Sequence, residues 1–444
     1  MFSVNGPINN GAAAVVPMRN GFMPAAYRTS TRDQLLACRK TAWLGCFLNV
    51  SPVYDIWGPD AVKLLNYVCV NRDFATLKIG KSRHAILCND KGQMLADGVL
   101  MRKVENLYRT YWLAPVLSYY VDTLGMDVEG KWIFDEFFFQ IDGPKSLEIM
   151  EKVSQTDLHD LKFAQNKEIT IAGVKTTIHR LGMSGCLAYE MHGDMAQVEK
   201  VYGAIYEAGK EFGIERLAFT NYCRNHTQAG YPNQWIQFWY PRLSSGEGLK
   251  SYIENCPYVM PMQKIYPFLG SAADDVENGF VTPFDVDWDY LINYDHDFIG
   301  KAALEEIKKN PPRKVVTLVW NAEDVGKVFA SQFMGTDVTP CDEIISTGDG
   351  GEAPYVMSKV LLDGEMVGVA AGRTRDYYHQ RMISLGYIRR DLAVEGKEFT
   401  VVWGTNPETA MEIRATVAPF PYYNEEYRNE TFDVEKIPHP VFDK

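Results

Sequence analysis

The chain has 444 residues and a mass of 50.4 kDa, more than a single hydrophobic core usually supports, so two or three domains are expected. Hydrophobic residues make up 46% of the chain and charged residues 23%, which excludes a largely disordered protein. The formal net charge of -12 argues against nucleic acid or an anionic membrane surface as a partner.

The first 20 residues do not show the basic start and apolar core of a secretory signal, and no apolar run is long enough to cross a bilayer. The eight cysteines include no CxxC pair, and no two histidines stand three or four residues apart. We therefore expect a cytoplasmic protein with buried free thiols and no metal site. The sequence indicates no oligomeric state.

Two segments of the first half share one pattern. Residues 54–68 (YDIWGPDAVKLLNYV) and residues 139–153 (FQIDGPKSLEIMEKV) each read as a strand, a Gly-Pro break and an amphipathic helix. The recurrence predicts two related α+β halves.

Further elements follow in chain order. Turn residues join strand-like stretches at 83–87 and 98–104, and again at 168–171 and 174–179, which predicts two hairpins. Residues 194–212 have helical apolar spacing, with Asp194 as a possible N-cap. After the linker KKNPPRK, the stretches 314–320, 359–372, 398–404 and 411–418 predict a small antiparallel β domain.

No single motif identifies a reaction, because HExxH, Walker A and GxSxG patterns are all missing. Four weaker segments occur in order: GQMLADGVLMR, GMSGCLAYEMHGD, NYCRNHTQAGY and DFIGKAAL. Together they resemble the T-protein of the glycine cleavage system, a folate-binding aminomethyltransferase family. The resemblance implies an α+β, three-domain fold with a C-terminal antiparallel β-barrel. It places the folate-binding region at 1–310, with 46–138 inserted between 1–45 and 139–310, and the barrel at 311–444.

Residues 139–153, the stretch DHDFIGKAALE and residues 314–331 are more similar to the tetrahydrofolate-dependent aryl O-demethylase branch. This likeness implies transfer of a methyl group from a methoxyaromatic to N5 of tetrahydrofolate. Aminomethyl transfer in glycine cleavage, demethylation of a sulfonium compound or an amine, and a non-catalytic folate-binding role are the alternatives.

The resemblance assigns the pterin carboxylate to Glu190, since a carboxylate matches a paired N–H edge. T-proteins carry an acidic pair where this chain has Ala96 and Asp97, so one acid is lost. Asp97 either handles the proton at N5 or caps a turn. Tyr222 stands where T-proteins have arginine, and we expect it to be the acid that assists the departing oxygen.

Four weaker assignments complete the predicted site. The resemblance places the ring of Tyr231 against the folate, although packing alone would also explain it. Gln93 and Trp288 are weaker candidates for cofactor contacts, with a scaffold role as the alternative. Benzoate demethylases carry an arginine where this chain has Leu113 and a histidine where it has Asn49, which assigns both residues to the substrate pocket. The substrate is therefore expected to lack a benzoate carboxylate.

Overall fold

The structure, a computed structural model, describes residues 2–18, 21–46, 51–266, 268–344, 355–423 and 427–442. In these ranges the backbone forms a two-stranded hairpin, a six-stranded sheet, a five-stranded sheet and a closed six-stranded barrel. No helix of the described ranges combines the length and the apolar character that a membrane crossing requires. The eight cysteines are free thiols and all but Cys223 are buried, as predicted.

The six-stranded sheet follows an N-terminal hairpin and uses chain segments from both sides of the five-stranded sheet. Its strands lie in the order β10-β11-β12-β9-β3-β13, and the β3–β13 pair is parallel. The hairpin and this sheet comprise β1 (Ala12–Met18), β2 (Gly21–Tyr27), β3 (Trp43–Gly45), β9 (Glu136–Asp142), β10 (Asn166–Ile171), β11 (Val174–His179), β12 (Ala188–Asp194) and β13 (Glu215–Arg216). The associated helices are α1 (Thr31–Lys40), α4 (Ser146–Ser154), α5 (Val198–Gly209) and α6 (Phe219–Ala229).

The helix predicted over 194–212 is confirmed, with a tighter first turn. A 3-10 turn at Met195–Gln197 precedes α5, and the Asp194 carboxylate accepts a hydrogen bond from the Ala196 amide at 2.9 Å. The cap therefore belongs to this short turn, because a side chain satisfies only the nearest orphan amides.

The five-stranded sheet has the order β5-β6-β7-β4-β8 and contains the first predicted hairpin. Its strands are β4 (Val53–Trp57), β5 (Ser82–Cys88), β6 (Met94–Val104), β7 (Leu107–Tyr111) and β8 (Glu129–Ile133). Its helices are α2 (Ala61–Val68), α3 (Val116–Thr123) and α7 (Glu247–Asn255). Residues of these helices and strands share one hydrophobic core.

The recurring strand, Gly-Pro and helix pattern is confirmed in both sheets, as β4 with α2 and β9 with α4. Gly58 and Gly143 have φ values of 129° and 137°, a region that favours glycine. A Cβ at Gly58 would lie 2.6 Å from the Asp127 carbonyl oxygen, and a Cβ at Gly143 would lie 2.4 Å from that of Thr41. The same backbone approach therefore fixes the same residue in each copy.

The predicted β domain is a barrel closed by pairing of its first and last strands, and every pair of neighbouring strands is antiparallel. Its elements are β14 (Arg313–Trp320), α9 (Ala322–Ser331), β15 (Ser358–Leu362), β16 (Glu365–Asp376), β17 (Arg381–Arg389), β18 (Glu398–Trp403) and β19 (Met411–Ala418), preceded by α8 (Lys301–Lys309). The sequence did not predict β17, which pairs with both β14 and β16. The domain boundaries stay a prediction.

After the barrel, the C-terminal segment 427–442 returns to the six-stranded sheet. The Arg180 guanidinium donates to the carbonyl oxygens of Asn429 and Phe432 at 3.1 and 2.7 Å. Nε2 of the buried His159 lies 3.0 Å from the Ile437 carbonyl oxygen. These contacts hold the C-terminal segment against residues that flank the strands of the six-stranded sheet.

Candidate active site

A cavity of about 310 Å³ is lined by residues of both open sheets, α6, residues 290–291 and the C-terminal segment. Aromatic and aliphatic groups supply much of its wall. Among the described lining residues there is neither lysine nor arginine. The ionisable ones are His84, Asp97, Tyr111, Glu190, Tyr222, His226, Tyr231, Tyr290 and Glu430.

Gln140, Glu190 and His179 form a row across three neighbouring strands. Glu190 on β12 lies directly opposite Gln140 on β9 and His179 on β11, so all three side chains project from one face of the sheet. Both amide atoms of Gln140 are buried without a hydrogen-bond partner in the described part of the chain, and Oε2 of Glu190 is buried with only the long contacts to two histidines described below. Buried polar atoms are normally paired, so this row presents donors and acceptors to a polar ligand.

Glu190 is flanked by two histidines. Its Oε2 lies 3.4 Å from Nδ1 of His179 and 3.7 Å from Nε2 of His192. Burial opposes ionisation of Glu190, but the two histidines outweigh it and hold the pKa of this carboxyl below its ordinary value. Glu190 is therefore a carboxylate at neutral pH and accepts hydrogen bonds.

A second buried carboxylate supports His192. The Glu136 carboxylate lies 3.4 Å from Nδ1 of His192 and accepts a hydrogen bond from the Tyr111 hydroxyl at 2.9 Å. Burial lowers the pKa of His192, but Glu136 and Glu190 outweigh that effect and raise it above its ordinary value. Arg109 binds Glu136 and Asp55 together, which links the two open sheets beside the cavity.

Asp97 lies within β6 and lines the cavity, so it does not cap a turn. Its Oδ2 accepts a hydrogen bond from Nε2 of His84 at 2.8 Å, and its Oδ1 accepts one from the Tyr240 hydroxyl. Tyr240 in turn accepts a hydrogen bond from the Asp97 amide at 2.9 Å. Both carboxylate oxygens are thus oriented by neighbouring side chains. The neighbouring Ala96 is buried in the core of the five-stranded sheet.

The polar helix α6 has seven of its eleven residues buried, and its polar side chains bind other elements. Thr227 donates to the Gly372 carbonyl oxygen at 2.6 Å, Gln228 donates to Asp376 at 3.2 Å, and Asn221 donates to Gln34 at 2.8 Å. These bonds connect α6 to the barrel and to α1, and they fix the helix that carries Tyr222 and His226 to the cavity.

Tyr222 faces the cavity one helical turn before His226, and the two rings meet edge to face with centroids 4.8 Å apart. Burial, followed by the charge of Glu190, raises the pKa of Tyr222 well above its ordinary value. The phenol therefore stays protonated across the neutral range and can donate a hydrogen bond.

The other two cofactor candidates do not line the cavity. Tyr231 lines the cavity. The ring of Trp288 packs behind it, with its centroid 5.6 Å from that of Tyr231 and 4.5 Å from that of His84. Gln93 lies in the turn between β5 and β6, where its Oε1 accepts a hydrogen bond from Asn89 at 3.0 Å. Both residues therefore have the scaffold role that was the alternative to cofactor contact: Trp288 supports two lining rings, and Gln93 stabilises a turn.

The substrate assignments change as well. Leu113 is fully buried among the core residues of the five-stranded sheet, so its assignment to the pocket was wrong. The adjacent Trp112 lines the cavity instead, because its backbone has a φ of 70° and interrupts the alternation that follows Tyr111. Asn49 lies outside the described residues.

Replacing Leu113 with alanine tests its new placement. Removal of a fully buried leucine side chain leaves a cavity, so we expect Leu113→Ala to lower the free energy of unfolding by about 2 to 5 kcal/mol. Urea unfolding measures this loss, while the substrate range of the folded variant should not change. A changed substrate range at full stability would return Leu113 to the pocket.

The cavity contains functional residues that the sequence analysis did not predict. His179, Gln140 and Glu190 become neighbours only through strand register, whereas His192 could have been found from its spacing of two residues from Glu190 on one strand. His226 was overlooked because a lone histidine in a helix is usually a core residue.

The unpaired amide of Gln140 and the carboxylate of Glu190 fit the mixed donor and acceptor edge of a pterin, and the aromatic wall fits its ring. The ligand atoms of His179, Glu190 and His192 also lie within 4.8 Å of one another, a spacing that could hold a metal ion. The expectation of no metal stays a prediction, and metal analysis of the purified protein tests it.

Comparison with known proteins decides the family. Residues 9–232 match the GCVT N-terminal domain, which is half of the chain. The chain belongs to the glycine cleavage T-protein family. It is similar to a sesamin methylene transferase from Sinomonas sp., with 42% identity over 98% of both chains. It is also similar to a syringate O-demethylase from Sphingobium sp., with 28% identity over 90% of both chains.

The T-protein fold is matched by a solved structure. The glycine cleavage system aminomethyltransferase T from Bartonella henselae has a TM-score of 0.65 and 17% identity, covering 95% of this chain and 98% of that one. The predicted α+β fold with a C-terminal barrel and the placement near the demethylase branch are confirmed. Because such relatives are transferases or demethylases, the predicted folate-dependent transferase is confirmed as an enzyme class.

Proposed function

We propose that this enzyme transfers the one-carbon group of a neutral aryl ether to tetrahydrofolate. The group is the methyl of a methoxyaromatic or the methylene of a methylenedioxy ring. The observation that carries the proposal is a single cavity in which a protonated phenol, Tyr222, and an ionised carboxylate, Glu190, share an aromatic wall.

The neutral substrate follows from the charges of the cavity. A benzoate carboxylate buried without a cationic partner would cost several kcal/mol, and the described lining supplies no lysine or arginine. The ionised Glu190 carboxylate would repel a second anion. The expectation of a substrate without a benzoate carboxylate therefore rests on the charges of the cavity and no longer on Leu113.

Aryl ethers are poor electrophiles because a phenolate is a poor leaving group. Because its pKa is raised, Tyr222 keeps its proton, and its hydroxyl donates a hydrogen bond toward the departing oxygen as negative charge develops there. When bound, tetrahydrofolate would supply amine nitrogens that form the new bonds to carbon. For a methyl ether, one C–O bond breaks, one C–N bond forms, and the proton lost from nitrogen ends on the phenolic oxygen.

The methylene version needs no redox partner either. Two C–O bonds break, two C–N bonds form, and two protons move from nitrogen to the two oxygens of the catechol product. Similarity over nearly the whole chain to a sesamin methylene transferase supports this version, and similarity to a syringate O-demethylase supports the methyl version. Asp97, oriented by His84 and Tyr240, is the cavity carboxylate that can receive a proton on the way.

The aminomethyltransferase alternative is disfavoured by Ala96, which lies in the core, and by Tyr222 in place of arginine. A sulfonium or amine donor would need no acid, so it leaves the protonated phenol without a role. A folate-binding protein without turnover is the remaining alternative.

A substrate panel tests the proposal. Enzyme and tetrahydrofolate are incubated without oxygen with a methoxyphenol, a methylenedioxybenzene, a methoxybenzoate, a methylated sulfonium compound, a methylamine or a lipoylated carrier protein with its aminomethyl group. We expect 5-methyl- or 5,10-methylenetetrahydrofolate and an equal amount of phenol or catechol from the neutral ethers alone, measured by mass spectrometry. Folate products from the carrier protein or sulfonium compound alone, or from none, reject it.

A further inference from the structure

A backbone carbonyl group determines which ring nitrogen of His226 carries the hydrogen. Its Nδ1 lies 3.0 Å from the carbonyl oxygen of Tyr231. A carbonyl oxygen can only accept, so Nδ1 carries the hydrogen, and in the neutral ring Nε2 carries a lone pair.

The Nε2 atom of His226, which carries the lone pair, is buried. The residue is 1% exposed, and its Nε2 has no hydrogen-bond partner among the residues that the structure describes. Burial lowers the pKa of His226 to about 4, although the Tyr231 carbonyl and Asp97 oppose that shift. His226 is therefore neutral at pH 7, and its Nε2 is an unsatisfied acceptor.

His226 also lines the cavity, as do Tyr222 and Tyr231, whose ring centroids lie 4.8 and 6.0 Å from its own. The other histidine of the cavity, His84, uses its Nε2 on Asp97. The described lining thus places a hydroxyl donor, Tyr222, beside a nitrogen acceptor, His226, on one face of one helix.

We infer that Nε2 of His226 accepts a hydrogen bond from a ring hydroxyl ortho to the ether oxygen that Tyr222 assists. The inference rests on the proposed function and narrows its substrates to ortho-dioxygenated rings. A donor and an acceptor four residues apart on a helix present adjacent, complementary contacts, which suit two oxygens on neighbouring ring carbons. A 2-methoxyphenol offers both groups from the start.

A methylenedioxy ring acquires its hydroxyl when the first C–O bond breaks. The ring then has to turn in the cavity, so that the hydroxyl already formed meets His226 and the second oxygen meets Tyr222. In the catechol product, one hydroxyl accepts from Tyr222 and the other donates to His226. Leaving such a buried acceptor unpaired is unfavourable, so His226 lowers the affinity of rings that bind without a hydroxyl, and a methylenedioxy ring gains this contact only after its first C–O bond has broken.

Binding of two ring compounds to the full-length enzyme tests the inference without turnover. We expect wild type to bind 2-methoxyphenol about 5- to 100-fold more tightly than 1,2-dimethoxybenzene, which has the same ether but no hydroxyl. His226→Leu should abolish this preference. His226→Gln should restore part of it, because its side-chain oxygen accepts near the position of Nε2. Calorimetry gives the dissociation constants, and circular dichroism checks the fold of each variant.

Equal affinity of the wild type for the two compounds overturns the inference, whether or not the variants fold. A His226→Leu enzyme that keeps the preference for 2-methoxyphenol also overturns it. A His226→Leu enzyme that loses only tetrahydrofolate affinity does so too, because Nε2 would then bind tetrahydrofolate and not the ring compound. Absence of one-carbon transfer in the substrate panel, with the binding preference present and dependent on His226, would reject the proposed function instead.

Discussion

Tyr222→Phe is expected to lower kcat for an aryl ether by about 10²- to 10³-fold, the usual effect of removing one donor that stabilises a departing oxygen. Tetrahydrofolate affinity should change less than about threefold, because the aromatic ring and the Glu190 row remain. The loss should grow as the leaving phenol becomes more basic, since a poorer leaving group needs more assistance. Single-turnover rates across a series of ring-substituted methoxybenzenes measure this dependence.

Tyr189→Phe is the matched control. Tyr189 is a fully buried tyrosine that neighbours Glu190 on β12, but it does not belong to the described cavity lining. Its loss should leave kcat unchanged. A Tyr222→Phe enzyme with full activity would remove the acid from the reaction and favour a sulfonium or amine donor.

Glu190→Gln is expected to weaken tetrahydrofolate binding by about 30- to 1000-fold. The carboxylate offers two acceptors to a paired N–H edge, whereas an amide turns one of them into a donor that opposes the ligand's own donors. Losing a buried, charge-assisted contact costs about 2 to 4 kcal/mol, which corresponds to that range. Fluorescence titration without substrate isolates binding from turnover.

Glu168→Gln serves as its control, because Glu168 lies exposed on β10 of the same sheet and pairs only with the exposed Lys175 among described residues. Normal folate affinity of Glu190→Gln, with lowered turnover, would exchange the roles assigned to Glu190 and Tyr222. Metal analysis of the same variant also reports whether the histidines around Glu190 hold an ion.

Sequence patterns identified the elements whose signals are local. The two Gly-Pro breaks, the hairpins and the helix α5 were all predicted, because turn residues and helical periodicity depend on near neighbours. The strand β17 was missed because its central residues are buried on both faces, and such a strand does not alternate.

The site also has residues that could be predicted from the sequence and residues that could not. The family resemblance assigned four residues to one site although no local pattern links them. The structure places all four in the lining of one cavity: Asp97, Glu190, Tyr222 and Tyr231. Leu113 was misplaced by one residue, because a positive φ at Trp112 cannot be read from a non-glycine residue. The partners of Glu190 depend on how three distant strands align, and single-sequence patterns do not specify that register.

The C-terminal segment has a consequence for the order of events during protein synthesis. Glu430 lines the cavity, and its neighbours Asn429 and Phe432 bind Arg180. A growing chain can form the two open sheets while the barrel is still being translated, yet the wall of the cavity stays incomplete until residue 430 has left the ribosome. Nascent chains stalled before that point should be folded over much of their length but unable to retain a substrate.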